Sequence, residues 1–187
     1  MIAKQYSLAA LAVVLASSIN FSVAVGATAP KKYSLPGRGS FQMTVPAGWG
    51  DELRQPPQAL PPTIVFRAPQ GKPFEVLVTP IWRARADIPA STENAMKQAV
   101  QKAAEGVKSQ SVEKVIPIVE FSGSSGPGFY FSVTDKAPKP GEYKYMTQGM
   151  LKVSELTVTF TILTNDGQEQ VTRDALGMLK SAVHVQP

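Results

Sequence analysis

The chain has 187 residues, of which 43% are hydrophobic and 18% are charged, and its formal net charge is +5. This length and composition predict a globular protein with a sizeable core, organised as one domain by default. The sequence contains no cysteine, which excludes disulfide bonds, thiolate nucleophiles, cysteine metal ligands and lipid attachment to a thiol. The positive charge is weak and scattered, so we expect a solvated surface and no nucleic-acid partner.

The N-terminus has the composition of a secretory signal peptide. A lysine, the apolar run 8–16 and a stretch of small residues follow one another in that order. This pattern predicts a signal peptide over residues 1–27, cleaved after Ala24 or Ala27. The alternative is an uncleaved membrane anchor, which we disfavour because Asn20 and a pair of serines interrupt the apolar run. We therefore expect a soluble bacterial protein, periplasmic or secreted, with no stable membrane insertion after cleavage.

The first part of the mature chain is predicted to be a flexible segment followed by a strand. Residues 28–39 are rich in proline, glycine and lysine, which predicts a flexible N-terminal segment, and we place a single domain at residues 40–187. Residues 40–45 alternate polar and apolar side chains, as a half-buried strand requires. The prolines of residues 51–62 predict an extended connecting loop, which we favour over a proline-recognition segment.

A hairpin and a helix are predicted next. Residues 63–67 and 74–82 form the two strands, and the second is apolar on both faces, which places it centrally in a sheet. Pro80 argues against that central place, because it cannot donate to a neighbouring strand. Ser91 or Thr92 then begins a helix, whose apolar residues recur three to four apart as far as Lys108.

The second half of the chain predicts four more strands and a final helix. The strands are expected at residues 115–121, 129–134, 143–153 and 155–163. Asp166 is predicted to cap the last helix, residues 168–183, with Glu169 reaching back to the cap. The order βββαββββα predicts an α+β fold, with a central antiparallel sheet of about six to seven strands and two main helices packed on it.

Few residues in the sequence could carry catalysis. The single histidine, His184, is predicted to lie in a fraying tail, so Ser–His and Cys–His pairs and a histidine-rich zinc site are excluded. The glycine-rich segment 123–128 leads into a strand rather than a helix, which favours a flexible hairpin over a phosphate cradle. We therefore expect no enzyme activity, no metal and no cofactor.

Three groups of residues are candidates for a binding surface. They are Trp82 with Arg83 and Arg85, the pair Tyr143 and Tyr145, and the row Thr157, Thr159 and Thr161. Arginines beside an aromatic ring suit anionic or planar groups, and hydroxyl rows beside tyrosines suit polar ligands. We favour a plain polar sheet face with ordinary cross-strand threonine pairs, or a face partly covered by a helix, over a binding surface.

Two motifs near the ends of the predicted domain suggest a family. Residues 41–49 read FQMTVPAGW, and residues 157–163 read TVTFTIL before the last helix. On these motifs and the element order, the chain resembles the PsbP-like superfamily, which includes lumenal photosystem proteins, the Ran guanine-nucleotide release factor and exported bacterial proteins of the DcrB type. The resemblance implies a central antiparallel sheet with helices on its faces and a role in binding or assembly. It supplies no catalytic residues.

These observations lead to three hypotheses about function. The first is an exported accessory protein that binds a protein partner or an envelope component through its sheet face or loops. The second is a small-molecule or lipid carrier, which would need a cavity between the sheet and a helix. The third and weakest is a hydrolase that uses two carboxylates.

Overall fold

The computed structural model describes residues 29–57, 60–83 and 90–187 of the chain. The predicted signal peptide, residues 1–27, and Arg85 lie outside the described residues. The signal peptide and its cleavage site therefore stay predictions. None of the helices within the described ranges is long and apolar enough to cross a membrane.

The described chain contains ten strands and two α-helices. The strands are β1 (Ala29–Ser34), β2 (Ser40–Val45), β3 (Gly50–Arg54), β4 (Thr63–Arg67), β5 (Glu75–Ile81), β6 (Val119–Gly123), β7 (Gly126–Thr134), β8 (Tyr145–Val153), β9 (Leu156–Thr164) and β10 (Val183–Val185). The helices are α1 (Glu93–Val107) and α2 (Glu169–Lys180), and a 3-10 turn, Lys108–Gln110, follows α1.

Two antiparallel sheets organise the fold. The larger sheet has seven strands in the order β3-β4-β5-β9-β8-β7-β6, and the smaller has the order β1-β2-β10. The predicted α+β class, the seven-stranded antiparallel sheet and the two main helices are confirmed. The smaller sheet was not predicted.

The two faces of the larger sheet belong to different cores. One face packs against α2 and the smaller sheet, and this first core includes Phe66, Phe160 and Leu179. The other face packs against α1 through Phe129, Phe131 and neighbouring residues, which form a second, smaller core. A sheet covered on both faces needs strands with apolar residues on both sides, as the predicted hairpins have.

Strand β9 shows how the alternating pattern sorts side chains between these faces. Val158 and Phe160 are buried in the first core, and the predicted threonine row points to the α1 side. Thr157 is buried, whereas Thr159 and Thr161 are partly exposed. The threonine face is therefore partly covered, which decides between the alternatives that the sequence left open.

Residues 29–34 form β1, where we predicted a flexible segment. The strand pairs with β2 along its whole length, from Ala29 opposite Val45 to Ser34 opposite Ser40. Tyr33 is 6% exposed and packs edge-on against Phe66. A proline is tolerated in β1 because this strand lies at the edge of its sheet. The composition of this segment does not indicate that Tyr33 is buried. It also does not indicate the pairing with β2, which depends on the fold.

Part of the predicted proline-rich loop is also a strand. Residues Gly50–Arg54 form β3, an exposed edge strand of the larger sheet. Its charges pair across to β4, where Glu52 accepts from Arg67 at 3.0 Å. Charged side chains of this kind protect a sheet edge from pairing with other chains. The strand carries almost no apolar pattern, which is why the sequence did not indicate it.

The last helix begins later than predicted. The N-cap of α2 is Gln168, and Asp166 does not cap the helix. The carboxylate of Asp166 instead accepts hydrogen bonds from Lys144 Nζ at 2.9 Å and from Tyr145 Oη at 2.6 Å. The cation of Lys144, just before β8, and the phenol of Tyr145, at the start of β8, thus compete successfully with the free N–H groups of the first helical turn.

The end of the chain forms a strand, where we predicted the end of the last helix and a fraying tail. The helix stops at Lys180, and Val183–Val185 pair with β2 as β10. His184 stands opposite the buried Phe41 in this pairing. The predicted fraying tail is therefore wrong, because β2 offers a free edge on which three residues can pair.

Strand β6 begins four residues later than the predicted start at residue 115. Pro117 lacks an N–H group and cannot join a ladder of hydrogen bonds, and pairing with β7 begins only at Val119. The predicted hairpin of β6 and β7 is otherwise confirmed.

Candidate functional site

Helix α1 forms where the sequence places a cap and an apolar stripe together. Thr92 is the N-cap, and its hydroxyl accepts a hydrogen bond from the Ala95 N–H at 3.1 Å. The buried residues Met96, Val100 and Ala104 recur every four positions, so they lie along one side of the helix. This side packs on β7 and β8. The helix therefore leaves part of this sheet face uncovered beside it.

A groove of about 190 Å³ lies between α1 and the middle of the sheet. Thr159 and Thr161 of the predicted threonine row line it, together with Gln148 from β8. Small residues of α1, Ala99 and Ala103, form its opposite wall. The groove therefore combines hydroxyl and amide groups on the sheet with a flat apolar helix surface.

A larger cleft of about 820 Å³ lies at the C-terminal end of α1, and we call it the α1 cleft. Its apolar lining residues are Val107, Val133, Met146 and Leu163, and its other walls include the loop of residues 135–144. On β9 and β8, Leu163 and Met146 stand two residues from Thr161 and Gln148, which line the groove. The groove and the α1 cleft thus occupy neighbouring rows of one sheet face.

The loop of residues 135–144 is tied down along its length. Its ends meet through a hydrogen bond from the Asp135 N–H to the Lys144 carbonyl at 2.8 Å. The Lys136 N–H donates to the Gln110 carbonyl at 3.0 Å, and Lys136 Nζ donates to the Ser109 carbonyl at 2.9 Å. These contacts anchor the loop to the residues that follow α1. The loop therefore forms a wall of the cleft with a defined position.

Glu113 makes a second set of contacts between the residues that follow α1 and the end of β7. Its carboxylate accepts from the Thr134 N–H at 2.9 Å, from the Thr134 hydroxyl at 2.7 Å and from the Ser111 hydroxyl. Partial burial by itself raises the pKa of Glu113, but these hydrogen bonds outweigh it and lower the pKa to about 2. Because Ser111 and Thr134 both line the α1 cleft, the ionised carboxylate fixes two of its lining residues.

The two predicted tyrosines have different surroundings. Tyr143 lines the α1 cleft, and burial, with the nearby Glu75 carboxylate, raises the pKa of its hydroxyl. The Tyr145 hydroxyl donates to Asp166 at 2.6 Å, and Lys144 Nζ lies 5.2 Å from the centre of its ring. Tyr145 is thus engaged in holding the β8–β9 end of the sheet, and only Tyr143 faces the cleft.

No family model matches the sequence, and no curated protein is significantly similar to it. Two solved structures share its architecture. LpqN of Mycobacterium tuberculosis, described as involved in cell envelope biogenesis, aligns with a TM-score of 0.50 and 13% identity over 85% of this chain and 91% of that chain. PsbP of Synechocystis sp. PCC 6803 aligns with a TM-score of 0.50 and 12% identity over 88% of this chain and 96% of that chain. The chain has a PsbP-like fold. The resemblance noted in the sequence is therefore confirmed at the level of the fold, and identities this low carry no function across.

This PsbP-like fold distributes the predicted binding residues over separate places. Thr159 and Thr161 line the groove, and Tyr143 lines the α1 cleft. Trp82 packs against the first core, on the other side of the sheet, and with Arg83 it lines a separate pocket. The three candidate groups therefore lie at different places, with Thr159, Thr161 and Tyr143 on the α1 side of the sheet, and their role in binding stays a prediction.

The apolar residues of the α1 cleft were missed by sequence reasoning. Val133 and Met146 alternate with polar residues as core residues do, and Leu163 follows the apolar Ile162, so no signal separates a cleft lining from a core. The period of two along a strand only places these residues on one face of the sheet. The partial cover by α1 turns that face into a cleft.

Within residues 29–57, 60–83 and 90–187, no three histidine, aspartate or glutamate side chains lie together as a metal site requires. His184 Nε2 donates to the Arg38 carbonyl at 2.7 Å and so holds a turn in place.

Proposed function

We propose that this chain is an exported, non-enzymatic accessory protein that binds a component of the cell envelope in the α1 cleft. The observation that carries the proposal is the cleft of about 820 Å³ between α1, the sheet and the loop of residues 135–144. Ligand sites typically measure roughly 300–1,000 Å³ and combine an apolar lining with a few polar groups. The α1 cleft has this size, and its apolar residues stand beside a polar wall whose residues are Gln110, Ser111, Thr134, Asp135, Lys136, Lys139, Glu142, Tyr143 and Lys144.

Three further points support the proposal. The N-terminal pattern of residues 1–27 predicts export, and the fold is shared with LpqN, a protein described as involved in envelope biogenesis. The hydrogen bonds of Glu113 and of residues 135–144 hold the walls of the cleft, as a binding site requires. We include Thr159 and Thr161 as contacts for a ligand that extends from the cleft into the groove.

A protein partner is the second candidate, and a different observation favours it. Residues 112–119 follow Ser111, which lines the cleft, and within them Val112 is 57% exposed, Val115 is 79% exposed and Val119 is 39% exposed. Clustered exposed apolar residues are typical of surfaces that contact another protein. In this form of the proposal, the partner covers these valines and closes the neighbouring cleft.

Native mass spectrometry of the mature protein, purified gently from its own envelope fraction, tests the proposal. An additional small-molecule mass supports the carrier form, and a co-purifying chain supports the partner form. A bare protein at the cleaved mass in every preparation contradicts stable binding of either kind. The same spectrum reports whether cleavage follows Ala24 or Ala27.

Variants assign any bound mass to its place on the surface. Gln110→Trp puts a large ring at the lining of the α1 cleft, so it should remove a small-molecule mass. Gln101→Trp changes an exposed residue of α1 outside the cleft lining and serves as the matched control. For the partner form, Val115→Asp should release the chain, whereas Val183→Asp, on an exposed valine of β10, should retain it. Loss of the mass in both members of a pair would contradict the assigned location.

A further inference from the structure

Strand β6 is the last strand of the larger sheet, so among the described residues one of its edges has no neighbouring strand. Within the described ranges, the backbone hydrogen bonds that lie outside helices and strands do not involve Ile116, Ile118 or Glu120. An edge strand of this kind offers its N–H and C=O groups to another chain. The free edge of β6 and of the residues before it is therefore a place where a further strand can add.

The pairing of β6 with β7 shows which backbone groups point to this edge. Opposite residues of two antiparallel strands alternate between hydrogen-bonded and non-hydrogen-bonded pairs. Ser122 stands opposite Pro127, which has no N–H to donate, so this pair is of the second kind. The pair of Glu120 with Phe129, two positions along, is then of the second kind as well. The backbone N–H and C=O of Glu120 therefore point away from β7, toward the free edge.

The alternation of β6 continues through the residues before it. Val115, Pro117 and Val119 are exposed, whereas Ile116 and Ile118 pack against the second core. Residues 115–119 therefore keep the period of two that is typical of a strand. By this period, the backbone groups of Ile116 and Ile118 point to the free edge. Pro117, which has no N–H, falls on the positions that point the other way.

The sequence along this edge is self-complementary. Residues 114–120 read KVIPIVE, so the apolar part VIPIV is the same in both directions, with a lysine before it and a glutamate after it. Lys114 and Glu120 are both exposed, and neither has an ion-pair partner among the described residues. Two copies that run antiparallel and are centred on Pro117 place valine opposite valine and lysine opposite glutamate.

We infer that a second copy of this chain pairs antiparallel with this edge, about a twofold axis at Pro117, and forms a homodimer. A twofold contact requires a surface that fits itself, and residues 114–120 meet this requirement in their apolar and in their charged groups. Opposite charges across two strands stabilise the pairing, and exposed valines that pair leave water. The inference rests on the partner form of the proposed function, because it uses Val115 and Val119, and it does not depend on a ligand in the α1 cleft.

Sedimentation equilibrium of the purified mature protein tests the inference. We expect the average mass to rise from one chain to two between about 1 and 500 μM, because an interface of this small size binds weakly. A mass of one chain throughout this range would overturn the inference, and Pro117 and Lys114 would then protect the edge from pairing. A monomeric protein that binds a different chain through the valines would also overturn it, and would leave the partner form of the proposed function intact.

Charge reversal tests the register of the pairing. Lys114→Glu places carboxylates opposite each other in the dimer, and Glu120→Lys places ammonium groups opposite each other. Each variant alone should therefore weaken dimerisation about tenfold or more. An equimolar mixture of the two variants should dimerise again, because every lysine then meets a glutamate. Unchanged dimerisation of the single variants, or a mixture that stays monomeric, would refute the register.

A matched control separates this pairing from a general effect of charge. Lys102→Glu makes the same change of charge at an exposed residue of α1, away from the edge of β6, and should leave dimerisation unchanged. All of the substituted side chains are exposed, so the variants should keep the fold, as far-UV circular dichroism will show. Dissociation of the Lys102→Glu variant to the same extent as the Lys114→Glu variant would refute the assigned surface.

Discussion

Replacement of Glu113 by glutamine tests whether one ionised carboxylate holds the end of α1 against β7. The carboxylate accepts three hydrogen bonds, from the hydroxyls of Ser111 and Thr134 and from the Thr134 N–H. Glutamine keeps the shape of the side chain but removes the charge. Its NH₂ group also puts a donor where an acceptor oxygen was, so the Thr134 hydroxyl must turn to accept or one of the three donors loses its acceptor.

The magnitude follows from the pKa of Glu113, which the fold lowers from 4.5 to about 2. At about 1.4 kcal/mol per pKa unit, this shift corresponds to roughly 3 kcal/mol in the free energy of unfolding. Because the carboxylate is partly exposed to solvent, we expect a contribution of about 2 kcal/mol. Because the folded-state pKa lies below the unfolded-state value, the stabilisation is complete above about pH 4.5. It is lost as the pH falls toward 2, when the carboxylate becomes protonated in both states.

Urea unfolding followed by tryptophan fluorescence measures the effect. At pH 7 we expect Glu113→Gln to lower the free energy of unfolding by about 2 kcal/mol, and the difference from the wild type to shrink by about half at pH 3. The control is Glu105→Gln, an exposed residue of α1, which should change stability by less than about 0.5 kcal/mol. A difference below about 0.5 kcal/mol at pH 7, or one that does not depend on pH, would refute the reasoning.

Three further substitutions test the packing of the sheets and helices, each by urea or thermal unfolding. Gly149→Ala puts a Cβ 2.2 Å from the Phe129 carbonyl oxygen, so β7 and β8 must separate, and we expect a loss of about 3 kcal/mol; a loss under about 1 kcal/mol would contradict this packing. Gly177→Ala, on α2, meets nothing within 4 Å and should stabilise the protein by up to about 1 kcal/mol, or about 2–4 °C, whereas any destabilisation would count against the helix geometry. Tyr33→Ser removes a ring that packs against Phe66 and should lower the free energy of unfolding by about 3 kcal/mol. An unchanged free energy of unfolding would instead support the flexible segment that the sequence predicted.

Elements with a strong local pattern were predicted well from the sequence. Helix α1 was predicted because Thr92 can cap it and because its apolar residues recur with the helical period. Strand β9 was predicted because Val158, Phe160 and Ile162 alternate with threonines. In both cases, the residues that decide the structure are neighbours in sequence.

Strands β1, β3 and β10 and the start of α2 were predicted poorly, for a common physical reason. These three strands have little local pattern of their own and are held by pairing with β2 or β4, which only the folded chain brings beside them. Asp166 has the chemistry of a helix cap, but Lys144 and Tyr145, at and just before the start of β8, bind it instead. A local preference of about 1 kcal/mol is easily outweighed by contacts with a neighbouring strand.

The candidate sites divide in the same way. The sequence by itself determined which side chains carry useful chemistry, since an arginine beside an indole or a row of hydroxyls is visible in the order of residues. Only the tertiary structure decided which of them meet. It brought Arg38 and His184, which are 146 positions apart, into a hydrogen bond, and it left part of one sheet face uncovered beside α1. The physical reason is that a side chain's own chemistry is a local property, whereas a cavity is the space left between elements, and that space depends on how all of them pack.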